Sequence, residues 1–212
     1  MAAMIDHDAI QSLARKLHGR LTAFGSPTLR YLDELTKCKC APDLLAIKVF
    51  PNAKEVTESF GAYNAVRTHL SRAGWRLDDP TIAVVCVGDG CTPRTAATFA
   101  YRSAWKCWSV DPLLKGDWSR VARLTVLPHM VEACSFDGAD RVVIVAVHSH
   151  APLDAAVRAV HAREIAVVAM PCCVRQMLPQ RPDVAYLDWG VWSPERMVMV
   201  WRNVLAATGA AQ

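Results

Sequence analysis

Residues 83–95 read Ala83-Val84-Val85-Cys86-Val87-Gly88-Asp89-Gly90-Cys91-Thr92-Pro93-Arg94-Thr95. The continuous apolar run at the front is the pattern of a strand covered on both faces. It feeds a turn containing two glycines, and Pro93 suits the first turn of a following helix. Glycines at such a turn let a ligand approach the backbone, and the helix N-terminus offers free N–H groups. Gly88, Asp89, Gly90 and Thr92 are therefore candidate binding residues.

Twenty-two residues beyond Asp89 stands Asp111, followed by Pro112, at the end of the next apolar run. An acid at the end of a second strand can accept hydrogen bonds from both ribose hydroxyls of a nucleotide-like ligand. The dinucleotide fingerprint Gly-x-Gly-x-x-Gly is absent, and so is the Gly-Lys-Ser/Thr of a phosphate loop. A ligand with a nucleoside but no pyrophosphate fits this pattern, and S-adenosylmethionine is such a ligand. The competing reading is an ordinary strand-turn-helix with an unrelated Asp downstream.

Outward from this segment, strands are expected at 106–110, 122–127, 142–147 and 165–170, with helices at 93–103, 128–134 and 152–162 between them. That alternation indicates a parallel sheet with helices on both faces. Val184 to Leu187 and Met197 to Trp201 read as a closing hairpin. Upstream, apolar positions from Ile5 to Leu21 recur at helical spacing, a short helix is expected at 28–35, and Lys37 to Pro42 reads as a loop. A further helix is expected at 57–73, with Phe60, Tyr63, Val66 and Leu70 on one face and Gly74 as its stop. Thr57 or Ser59 can serve as its cap. The expected organisation is a helical extension over 1–74, a ligand-binding domain over 75–205 and a small-residue tail over 206–212.

Two later strands end in reactive residue types, Val147-His148-Ser149-His150 and Met170-Pro171-Cys172-Cys173. In a doubly wound sheet these ends open on the same edge as Gly88 and Asp111. His148 and His150 are candidate bases, and Cys172 a candidate nucleophile. A small buried thiol is the competing reading for Cys172.

The segments Val143 to Val157 and Val167 to Cys173 resemble class I methyltransferases, in particular a group with a His-containing fourth-strand end and a Pro-Cys-Cys fifth-strand end. That group includes tRNA 2′-O-methyltransferases. The resemblance covers about residues 80–203. His150 stands where the group usually has Cys, and Val174-Arg175 where it often has Gln or His. The resemblance implies a three-layer Rossmann-like α/β sheet with strand order 3-2-1-4-5-7-6, the last strand antiparallel. It also implies S-adenosylmethionine as cofactor and RNA or another nucleic acid as acceptor. Glu58 falls on the preceding helix, which packs over the cofactor in related folds; its carboxylate can equally complement the helix dipole. His129 falls where such enzymes read the adenine.

Composition fits a globular chain: 52% hydrophobic and 21% charged residues exclude a disordered or fibrous class. The formal charge of +4 neither requires nor excludes nucleic acid. The apolar runs are far shorter than the ~20 residues of a membrane span. Eight cysteines without a visible secretory signal suggest a reduced, cytoplasmic protein. The amino-methylating Asn/Asp-Pro-Pro-Tyr/Phe motif is missing after the fourth strand. Trp189 and Trp192 flank the final hairpin turn, where they can stack a base or line a rim. The alternative to an enzyme is a protein that keeps the fold, and the pocket, without catalysis.

Overall fold

Odd and even residues of the central strands face different cores. Ile82, Val84 and Cys86 join one buried cluster, and Ala83, Val85 and Val87 the other. The same split runs through the strands at 141–147 and 164–170. This is the two-sided burial that a continuous apolar strand demands. The computed structural model describes residues 28–172 and 178–204. The helix expected near Ile5 to Leu21, residue Cys173 and the tail at 206–212 lie outside these residues.

Seven strands form one sheet: β1 (Ile82–Val87), β2 (Lys106–Val110), β3 (Leu124–Leu127), β4 (Arg141–Val147), β5 (Glu164–Met170), β6 (Val184–Leu187) and β7 (Met197–Trp201). Their order is β3-β2-β1-β4-β5-β7-β6. All pairs from β3 to β5 are parallel, whereas β7 runs antiparallel to both β5 and β6. This is the Rossmann-like sheet order, with an antiparallel last strand, that the resemblance implied.

One face is covered by α1 (Arg30–Lys37), α2 (Ala41–Ala46), α3 (Ala53–Leu70) and α4 (Arg94–Arg102). The other carries α5 (Leu153–Arg158) and a single 3₁₀ turn at Val131–Ala133. Residues from α1 to α3 share their core with β1, β4 and β5. Among the described residues no helix is long and apolar enough to cross a membrane.

Several local expectations are corrected. The loop expected at Lys37 to Pro42 is narrowed to residues 38–40, because Lys37 ends α1 and Pro42 occupies the first turn of α2, where a missing N–H costs nothing. The helix α3 starts four residues early, capped by the Asn52 side chain, which accepts from the Glu55 N–H at 3.0 Å. Thr57 and Ser59 are therefore not caps. The helix expected at 128–134 shrinks to the 3₁₀ turn, since Met130 is exposed and only Val131 anchors the segment. The helix expected at 152–162 ends at Arg158 because Phe136 takes the Ala159 carbonyl and gives its own to His161. Gly74 ends the α3 region as expected, with φ at +83°.

Candidate functional site

Four strand ends meet at the C-terminal edge of the sheet. Between them lies a cavity of about 340 Å³, bordered by Gly88, Gly90, Asp111, Pro112, His129, His148 and His150 among others. That volume falls in the range of small-molecule sites. Seven of the sequence-derived candidates thus come together in one place. Arg94, Leu113 and Met130 also border it and were not anticipated.

The turn after β1 has to be glycine at its first position. Gly88 has φ at +68°, and a Cβ there would lie 2.2 Å from Ser149 Oγ and 2.9 Å from Ser149 Cα. The ends of β1 and β4 are that close, and Ser149 is buried against the turn. Gly90 has φ at +81°, in the left-handed region that favours glycine.

Asp89 points away from the cavity. Its carboxylate accepts from the N–H groups of Thr95 and Ala96 at 3.0 and 3.1 Å, and from Ser109 Oγ at 2.9 Å. It caps α4 from inside and ties the helix to β2. Burial pushes its carboxyl up, and Arg94 and the two N–H groups pull it back only in part. Thr92 also turns inward, donating its hydroxyl to the Val49 carbonyl at 2.7 Å.

Asp111 sits directly after β2, half-buried, facing the turn. Oδ2 accepts from the Gly90 N–H at 2.9 Å and Oδ1 from the Leu113 N–H at 2.8 Å. Each oxygen has lone-pair capacity left for a further donor. Leu113 and Met130, 59% and 54% exposed, are apolar side chains at the cavity mouth. They provide flat contact for a ring.

His148 is the first residue beyond β4 and adopts φ +50°, uncommon for a residue with a side chain. Its N–H stays tied to the Met170 carbonyl at 2.8 Å. The ring stands between the cavity and Glu58: Nε2 is 3.1 Å from Glu58 Oε1. Glu58 is fully buried on α3, and Lys54 one turn earlier reaches the same oxygen at 2.8 Å. Burial raises the Glu58 carboxyl, but the hydrogen-bonding groups of His148 and Lys54 outweigh it and hold it below its ordinary value. The second oxygen, Oε2, is buried with no partner. Glu55 pairs with Arg94 and, at 3.3 Å, with Lys54, extending the chain of alternating charges to the cavity wall.

Glu58 therefore lies behind His148 and does not border the cavity. No sequence signal could link these two residues, because α3 must first pack across the sheet edge. His150 is exposed on the rim. Cys172 follows β5, half-buried, with Sγ 3.7 Å from the His148 carbonyl. Trp189 lies under the Arg196 guanidinium, and Trp192 donates its indole N–H to the Thr28 carbonyl, so both pack against the chain itself.

No protein-family model matches the chain, and no curated protein matches it. Solved structures give distant likenesses. A point variant of MtNAS in complex with S-adenosylmethionine aligns at TM-score 0.44 and 12% identity, over 83% of this chain and 72% of that one. A SAM-dependent methyltransferase from Thermotoga maritima aligns at 0.34 and 14%, over 55% and 52% of the two chains. Coclaurine N-methyltransferase bound to N-methylheliamine and SAH aligns at 0.37 and 14%, over 92% and 68%. All three scores are low, and the fold assignment rests on the strand order of the chain itself.

Proposed function

We propose that the chain binds S-adenosylmethionine in the cavity at the C-terminal edge of the sheet and acts as a methyltransferase. The observation that carries this reading is the convergence of Gly88, Gly90, Asp111 and His148 on one cavity of about 340 Å³. The residues present fit an adenosyl group. The glycine turn leaves the backbone open, Asp111 offers two acceptor oxygens to a ribose diol, and Leu113 with Met130 offers apolar contact to a base.

When bound, this cofactor supplies a sulfonium-activated methyl group. His148 stands on the cavity wall with the buried Glu58 carboxylate 3.1 Å behind its Nε2, an arrangement that orients the ring as a candidate base. Among the described residues Arg94 is the permanent cation bordering the cavity, and Glu55 compensates it. RNA or another nucleic acid as acceptor is supported by the sequence resemblance alone.

Isothermal titration with S-adenosylmethionine tests the reading. Saturable binding is expected, and Asp111→Ala should weaken it by about 1–3 kcal/mol through the lost ribose hydrogen bonds. A wild-type chain that folds yet does not bind sinks the proposal. Binding without methyl transfer to any RNA pool would leave the non-catalytic reading standing.

A further inference from the structure

The C-terminal end of α3 lies away from this cavity. The helix has 18 residues and spans ~27 Å. Arg141, which opens β4, donates to the Gly74 carbonyl, so the helix end sits at the opposite edge of the sheet from His148. Two cavities of about 400 and 540 Å³ adjoin there, sharing Thr68 and His69. Arg72 and Arg202 border the first, Arg30 and Arg67 the second.

These arginines differ in how they are spent. Arg30 is paired with buried Asp188. Arg67, Arg72 and Arg202 have no ion pair among the described residues, and Arg67 donates only to Asn64. The nearby carboxylates already have partners, although Glu34 borders the second cavity and Asp183 lies beside Arg202. Glu34 takes Arg102 and Asn64, Asp188 takes Arg30 and Tyr31, and Asp183 accepts the Arg202 backbone N–H. Between the arginines the His69 ring lies against Tyr186, with centroids 5.4 Å apart. Arg67 also complements the dipole at the end of α3, but Arg72 and Arg202 lie beyond that turn.

Three guanidiniums without an ion pair among the described residues, set around a concave surface, repel one another unless an anion joins them. Guanidinium forks match phosphate oxygens, and a ring pair among them gives a base a surface to stack on. We propose that this groove binds the phosphate backbone of a single-stranded nucleic acid. The ring pair and the concave shape favour that ligand over an anionic lipid surface, which presents no base to stack. The groove stands independently of the methyl-donor site.

Fluorescence anisotropy of a labelled single-stranded RNA 20-mer with the full chain tests it. Binding should weaken with salt. Combining Arg67→Gln, Arg72→Gln and Arg202→Gln should weaken it roughly 10–100-fold at 0.1 M salt and flatten the log–log salt slope by about 2. Lysine at the same three positions should keep the slope, which separates charge from misfolding. S-adenosylmethionine titration of the triple variant should match wild type, and Asp111→Ala should do the reverse, so the two sites fail separately. Absence of RNA binding, or equal affinity and slope in the triple variant, overturns the groove. A triple variant that keeps RNA and instead loses adhesion to phosphatidylserine vesicles overturns it as well.

Discussion

Glu58 is a fully buried carboxylate that accepts from Lys54 Nζ and lies 3.1 Å from His148 Nε2. Its folded value lies below the ordinary one near 4.5. A carboxyl with a depressed folded value stabilises the protein above its unfolded value and loses that contribution as pH falls through the folded one. Stability should therefore drop as pH is lowered from about 4.5, and Glu58→Gln should flatten that part of the profile. Urea melts of both proteins between pH 3 and 7 measure it, and parallel profiles would refute the assignment. The residue could be picked out in the sequence, but not its partner ninety positions away. Asp111 was more legible, because its place directly after the second strand is one that strand patterning fixes. Asp89 was half legible: the turn was identified, but the direction of its side chain depends on where α4 and Ser109 come to rest.

At the scale of elements, α4 begins on Asp89. The helix has no side-chain cap from Pro93, its preceding residue, so the buried carboxylate takes over the free N–H groups of Thr95 and Ala96. Asp89→Ala would leave these donors and the Ser109 hydroxyl unpaired in the interior. A loss of about 2–4 kcal/mol is expected. Chemical denaturation measures it, and a change under 0.5 kcal/mol would contradict the geometry. Strands were the legible elements, since continuous runs such as Val142 to Val147 have few other ways to bury both faces. Short helices were less legible. The helix α2 hides behind a proline and flanking charges, and α5 is cut short by the distant backbone of Phe136.

Across the whole molecule, the beginning and the end of the described chain are joined. The Thr28 N–H donates to the Trp189 carbonyl at 2.8 Å. Asp188, buried in the β6–β7 loop, accepts from Arg30 and from the Tyr31 hydroxyl at 2.6 Å each, and from the Gly190 N–H at 2.9 Å. Burial, followed by the Asp188 carboxylate, pushes the Tyr31 hydroxyl well above its ordinary range, so it stays a donor. Replacing Asp188 by Ala leaves Tyr31 and Gly190 without an acceptor and should cost about 2–4 kcal/mol. Limited proteolysis should then cut first near α1, and cleavage elsewhere at the wild-type rate would argue against this clasp.

That clasp also sets an order of events during synthesis. Tyr31 and Asp188 are 157 positions apart, so α1 leaves the ribosome long before its acceptor exists. Until the last hairpin emerges, α1 has its Tyr31 hydroxyl and Arg30 guanidinium without the Asp188 acceptor. Contacts of such long range form late and slowly. A nascent chain of this protein should remain a client of holding chaperones until the β6–β7 hairpin has been translated.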